Sequence, residues 1–155
     1  MVSCVWIYAL IYWIAIIEAR PGYRSAACFM KHGEENEYGY VVKYPDGYTS
    51  WSPKDIFEKA YLQVDDNKDL PSGVSIGQEM VDGFIAYYET HTMGDSTTVV
   101  RCVLRNGFVI VESSSCVDPA NYSEKIGEEI CLNKIKDKIW ELLGFLLQTA
   151  WHGIL

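Results

Sequence analysis

No surplus of positive charge runs through this chain. Its 155 residues hold 13 lysines and arginines against 21 aspartates and glutamates, a formal net charge of −8. A duplex nucleic-acid binder neutralises phosphates with a basic stripe, so that class is excluded. The five cysteines, Cys4, Cys28, Cys102, Cys116 and Cys131, are odd in number and form no CxxC pair. That argues against a structural zinc site and a dense disulfide framework, and it fits a reducing compartment. His32, His91 and His152 share no metal-ligand spacing. There is no GxGxxG fingerprint, Walker loop, GxSxG elbow or HExxH helix. The expectation is therefore a protein without cofactor or metal.

What is present is globular. Apolar residues make up 49% and charged residues 22%, which excludes a disordered or low-complexity chain. The length suits one ordinary domain or two very small ones. Residues 1–17 carry no charge. That run is slightly short for a spanning helix and has no basic residue ahead of it for a signal peptide. Its Ile, Val, Tyr and Trp content suits a strand as well as a helix. Three readings stay open for Met1–Ile17: a membrane anchor, a buried strand or short helix, or an atypical start. Residues 1–13 form an apolar leader of unclear status.

A first module is expected over 14–64. Within it, residues 38–52 read as a hairpin about the Pro45-Asp46-Gly47 turn, pairing Tyr44 with Tyr48, Val42 with Ser50 and Val41 with Trp51. Ser52 is the expected N-cap of a following helix with Pro53 at its first position, and Ile56, Phe57, Ala60 and Tyr61 on its apolar side. The polar string 65–73 is the expected linker, with a short helix over 75–82.

The remainder, 74–155, reads as a three-stranded meander over 84–93, 97–105 and 108–115, followed by one long helix from about Ser123 to Ala150. A two-residue loop at Asn106-Gly107 pairs Leu104 with Val109, Cys102 with Val111 and Val100 with Ser113. A three-residue loop at Gly94-Asp95-Ser96 pairs Ala86 with Leu104, Tyr88 with Cys102 and Thr90 with Val100. This places Glu89, Arg101 and Glu112 in one cross-strand row, with Tyr87, His91, Val103 and Ile110 around it. The helix is expected to lay Ile130, Ile139, Leu142 and Leu146 into the core, and Gly127 and Gly144 to permit close approach or a bend. The fold class is α+β: a hairpin-plus-helix unit, then a meander packed on a long C-terminal helix.

Two stretches resemble known families. Asn106-Gly107-Phe108, the string Ser114 to Tyr122, Ile126-Gly127 and the late Trp140 to Leu147 make residues 105–148 similar to a family of small accessory proteins of tailed bacteriophages and prophages. That family is named after gene product forty-nine of one such phage. Residues 39–61, GYVVKYPDGYTSWSPKDIFEKAY, resemble a second phage module, often joined to small domains including ones similar to anti-Thoeris proteins. Ile16 to Pro21 resembles that module's first strand. The resemblances imply a phage or prophage gene and carry no activity with them.

Four residues are candidates for ligand binding. Arg101 offers a guanidinium to a phosphate or carboxylate, with Tyr87 beside it to stack. Trp51 stands with Tyr40, Tyr44 and Tyr48 on the hairpin, where aromatics serve a base platform or cross-strand core pairs. Asn121, in the string Asp118-Pro119-Ala120-Asn121, could bind an amide or simply complete a helix start. Cys116 would be a nucleophile if a base, His91 or Asp118, lay within reach; the plainer reading is a small residue at a strand end. The leading expectation is a non-enzymatic binding protein of the host cytoplasm, acting on a host protein or a small anionic signal, with a role against host defence as one form of it. The alternatives are a protein anchored in the inner membrane and acting at the host envelope, and a thiol enzyme using Cys116. The sequence leaves the partner and the oligomeric state open.

Overall fold

The computed structural model describes residues 4–10, 13–24 and 37–153; His32 and Cys28 lie outside them. The chain divides into two compact units, residues 1–76 with 145–155, and residues 77–144. The architecture is α+β, as the sequence pattern implied.

The first unit holds a five-stranded antiparallel sheet. Its strands are β1 (Cys4–Leu10), β2 (Trp13–Tyr23), β3 (Tyr38–Lys43), β4 (Thr49–Pro53) and β5 (Tyr61–Gln63), in the order β4-β3-β2-β1-β5. Within the uncharged N-terminal run, residues 4–10 and 13–17 are strand, with β1 paired on both sides, and Trp6 and Ile7 are buried. Among the described residues, no helix is long and apolar enough to cross a membrane. The β3–β4 hairpin takes the expected register, Val42 opposite Ser50 and Val41 opposite Trp51, and the Tyr44 amide donates to the Tyr48 carbonyl at 2.9 Å. Gly47 closes the turn at φ +86°, a conformation that glycine adopts without strain.

Helix α1 (Lys54–Ala60) starts one residue later than expected. β4 continues through Pro53, which pairs with Gly39 and is extended at ψ 144°, so Ser52 is a strand residue and makes no cap. On α1 only Phe57 is buried; Ile56 and Ala60 are exposed and Tyr61 begins β5. Phe57 suffices because it sits at the centre of an aromatic cluster. Its ring stacks on Tyr40 at 4.3 Å and Tyr61 at 4.2 Å and meets Trp6 edge-on at 4.8 Å. The polar string 65–73 contributes β6 (Asp65–Asp66) and the connection from it to β7 (Val74–Ser75), with which β6 pairs as a two-stranded ribbon.

The second unit begins with α2 (Gln78–Phe84), three residues later than the helix expected over 75–82. The meander follows as β8 (Ile85–Met93), β9 (Thr97–Leu104) and β10 (Val109–Ser115), in the order β10-β9-β8. Tyr88 faces Cys102 and Thr90 faces Val100 as expected, but Ala86 falls in an irregularity and Ile85 takes the place opposite Leu104. At the other turn the register differs by one residue. Ile110, not Val111, lies opposite Cys102, and Glu112 opposite Val100. The loop is Arg105-Asn106-Gly107, with the Leu104 amide donating to the Phe108 carbonyl at 2.8 Å and Gly107 at φ +84°. One residue of slip exchanges the faces: Ile110 and Glu112 point toward the helix, and Val109 and Val111 point away.

Helix α3 (Glu124–His152) covers the inner sheet face. Its buried ridge is Gly127, Cys131, Ile135, Ile139 and Leu143, spaced by four. Of the expected core residues Ile139 is buried, Leu146 is half-buried, and Ile130 and Leu142 are exposed. They belong to the neighbouring ridge of Ile126, Ile130, Lys134, Lys138 and Leu142. The buried ridge wins at its N-terminal end because Gly127 and Cys131 are small enough to let the helix close on Thr98. A Cβ built on Gly144, in contrast, would meet nothing within 4 Å.

Candidate functional site

The outer face of the β8–β9–β10 sheet is open. On β9 every second residue from Thr98 to Leu104 is buried, so Val99, Arg101 and Val103 turn outward. Beside them stand Tyr87, Glu89, His91 and Met93 of β8, and Val109 and Val111 of β10. Tyr87, Met93, Val109 and Val111 are all exposed. Half of an antiparallel sheet's side chains facing solvent is ordinary; an outward face this apolar is not.

Arg101 lies at the centre of that face. Its guanidinium donates to Glu89 Oε2 at 3.3 Å across the β8–β9 pair. The hydrogen bond that the guanidinium donates to Tyr87, aided by the charge of Glu89, pushes the Arg101 pKa up from its already high value. The expected second carboxylate is absent from this row. Val111 faces Arg101 instead, and Glu112 sits on the inner side, paired with Lys138. Arg101 therefore meets one carboxylate rather than two, within an apolar surround. Such a guanidinium can accept a carboxylate from outside in fork geometry.

The second candidate lies on the helix side of the sheet. The string Ser114 to Tyr122 ends β10, turns and starts a short 3₁₀ helix, Pro119–Asn121, with Asp118 Oδ1 accepting the Ala120 amide at 2.9 Å. Pro119 at the first helical position and Asp118 as cap are the pattern its sequence implied. This string, with Ser96, Thr98, Ile126, Gly127 and Ile130, walls a cleft of about 240 Å³. Asn121 lines it, exposed. Tyr122 stands within it, its hydroxyl bonded to Thr98 Oγ1 at 2.9 Å and Thr92 Oγ1 at 2.8 Å. Glu124 and Glu128 bond the hydroxyls of Thr92 and Thr90 in turn, so this end of α3 is tied to β8 by a hydroxyl–carboxylate network.

Cys116 also lines the cleft. Its thiol donates to the Asp118 carbonyl at 2.7 Å. His91 stands on the opposite face of the sheet, and the Asp118 carboxylate is engaged by the Ala120 amide. Neither expected base meets the thiol. Among the described residues no group of three His, Cys, Asp or Glu side chains could hold a metal ion.

Trp51 belongs to the first unit. Its ring lies over Gly39, where an added Cβ would sit 2.7 Å from Cζ2; its Nε1 donates to the Gly22 carbonyl at 3.4 Å, and the Arg24 guanidinium lies 5.4 Å above the ring. Tyr40 is in the aromatic core, Tyr44 is half-buried and Tyr48 is the exposed aromatic of that hairpin. Of the four candidate residues the structure brings Arg101 and Tyr87 together, places Asn121 in a separate cleft, and packs Trp51 within the other unit. The outward Val109 and Val111 escape the sequence reading, because Asn106-Gly107 suits a two-residue and a three-residue loop alike.

Residues 76–151 match the model of the phage protein (N4 Gp49/phage Sf6 gene 66) family. No curated protein and no solved structure matches the chain.

Proposed function

We propose that this chain, whose residues 76–151 match the phage protein (N4 Gp49/phage Sf6 gene 66) family, is a non-enzymatic accessory protein that docks a host protein on the open face of its second sheet. The observation carrying this reading is the exposed apolar surround of Arg101, with a single carboxylate beside it. An open face of Tyr, Met and Val about one guanidinium, with Glu89 and His91 among them, resembles the composition of protein interface cores, where aromatics, Met and Arg are enriched. A small anionic signal is the weaker fit, because ligand sites for small molecules are concave and this face is open. The partner contributes a carboxylate to Arg101 and apolar side chains to Val99, Val103 and Val111. The likeness of residues 39–61 to a module found beside anti-Thoeris-like domains directs the search toward host defence proteins.

Affinity capture from host extract with the wild type and three matched variants tests the reading. A host protein held by the wild type and by Cys116→Ser, and released by folded Arg101→Ala and Tyr87→Ala, supports it. Equal capture by all of them removes this face. Loss confined to Cys116→Ser transfers the function to the cleft and its thiol.

A further inference from the structure

β10 is an edge strand. Its hydrogen-bonding parity is set at both ends: Phe108 receives the Leu104 amide, and the Cys116 amide donates to Ser96, each at 2.8 Å. Even-numbered residues of β10 therefore direct their backbone groups to β9. In an antiparallel ladder the odd ones, Val109, Val111, Ser113 and Ser115, direct theirs to the open side.

Helix α3 runs alongside that edge, and its exposed ridge faces it. Ile126 and Ile130 wall the cleft with Ser114 and Ser115. Lys134 Nζ donates to the Ser113 carbonyl at 2.8 Å, and Lys138 pairs with Glu112. Beyond them, Leu142 shares a hollow of about 360 Å³ with Phe108, Val109, Ile110 and Val111, rimmed by Lys138 and Glu141. Natural sheets blunt their free edges, often with lysine. Here Lys134 does so at Ser113. The backbone of Val109 and Val111 stays open, flanked by Phe108, Val111 and Leu142 at 54%, 56% and 44% exposure.

We propose that this edge pairs with the same edge of a second copy, giving a two-fold dimer with a continuous six-stranded sheet. With the two β10 strands antiparallel and Ile110 opposite Ile110, Val109 of each copy faces Val111 of the other. Each such pair exchanges two backbone hydrogen bonds, so all four open amides and carbonyls are matched and Ser113 is left to Lys134. The pattern is self-complementary, as an isologous interface requires. The charges agree. The hollow's rim holds one cation and one anion, and the two-fold turns Lys138, beside Glu112, toward the Phe108 end of the other copy, where Glu141 stands. A strand bearing charge of one sign would leave one rim group unanswered. The open stretch is short, so the interface is smaller than the ~1,600 Å² of lasting complexes and the dimer is concentration-dependent.

Sedimentation velocity with the full chain, from low micromolar to roughly 0.5 mM, tests this independently of any host partner. The mass is expected to rise from 17.6 kDa toward twice that value. Val111→Pro removes an amide that faces away from β9, so the ladder survives and the protein is expected to stay monomeric with an unchanged circular dichroism spectrum. Leu142→Glu, at an exposed helix position, is expected to be folded and monomeric even if the proline variant fails to fold. A wild type that is monomeric throughout overturns the proposal, as does a dimer that persists in Leu142→Glu and in folded Val111→Pro.

Discussion

Gly127 of α3 lies directly against Thr98 of β9. A methyl group built on Gly127 would overlap the Thr98 hydroxyl oxygen and stand 2.6 Å from its Cβ. Thr98 cannot yield, because it is fully buried and its hydroxyl is bonded to Tyr122. Ala gains about 1 kcal/mol over Gly in a helix interior, yet overpacking of this kind costs about 1–3 kcal/mol. Gly127→Ala is expected to lower stability on balance, whereas Gly144→Ala, with open space at its Cβ, should raise it by a few tenths up to about 1 kcal/mol. Urea denaturation of both variants checks the pair, and a stabilised Gly127→Ala would show that the helix can lift off the sheet.

The two leucines that follow each other on α3 separate the ridges. Leu143 is 2% exposed and Leu142 is on the open ridge. Leu143→Ala is expected to cost about 2–5 kcal/mol. Leu142→Ala should change stability by less than about 1 kcal/mol at concentrations where the chain is monomeric. Thermal unfolding in dilute solution distinguishes them, and equal losses would mean the helix is rotated from the orientation described.

The same pair shows where sequence reading stops. Helical periodicity located α3, but apolar counting favoured Ile130 and Leu142 because Gly127 and Cys131 carry too little hydrophobic weight to mark a buried ridge. Their small size is the very reason the helix approaches there. The β9–β10 turn failed in a similar way. Asn-Gly serves both a two-residue loop and the last two places of a three-residue loop with Gly in the left-handed region. Residues Val109, Ile110 and Val111 are apolar on both faces, so alternation could not choose between registers. At Pro45-Asp46-Gly47 the turn string itself had three residues and the register followed. Arg101 and Tyr87 were legible as neighbours because β8–β9 pairing was right in this region. Arg101's separation from Glu112 is not legible, since it follows from the β9–β10 register that Asn106-Gly107 leaves undecided.

Thiol ionisation gives a pH signature. Burial pushes Cys102 up from the ordinary 9.0, and likewise Cys131, whose neighbour Lys134 only partly opposes the rise. Below the ordinary value both states hold their protons, and stability is full. As pH climbs past it the unfolded chain ionises first and binds fewer protons than the folded one, so stability falls. Urea midpoints between about pH 8 and 10 should decline, and less steeply in Cys102→Val, whose side chain does not titrate. An identical slope in that variant would mean that Cys102 ionises as readily folded as unfolded. In the folded protein iodoacetamide should modify Cys116 well before Cys102 or Cys131.

Asp82 behaves in the opposite sense. Its bonds to Lys136, at 2.8 Å, and to Gln78 hold its carboxyl below the ordinary 3.8. The contribution is present above the ordinary carboxylate range and is lost as pH falls through the lowered value. The pair is solvent-exposed, so it should also be weakened by salt. A carbon-detected NMR titration is expected to show Asp82 titrating lower in the wild type than in Lys136→Met. Coincident curves would remove Lys136 as the cause.

The pairing of Leu104 with Phe108 across the Arg105-Asn106-Gly107 loop sets which face of β10 meets the helix. Deleting Arg105 leaves Asn106-Gly107 as a two-residue loop between Leu104 and Phe108, the geometry that hairpin twist favours for that dipeptide. Leu104 stays opposite Phe108, so Ile110 keeps its place opposite Cys102 and Glu112 its pairing with Lys138. The expected result is a folded protein of unchanged register that still holds its host partner. Gly107→Ala is the more damaging change, because Ala at φ +84° is strained by about 1–2 kcal/mol. Amide cross-peaks between Cys102 and Ile110 by NMR read the register directly. Their loss in the Arg105 deletion would mean that the strand slips to a new partner and that the three-residue loop is needed to hold Ile110 and Glu112 toward the helix.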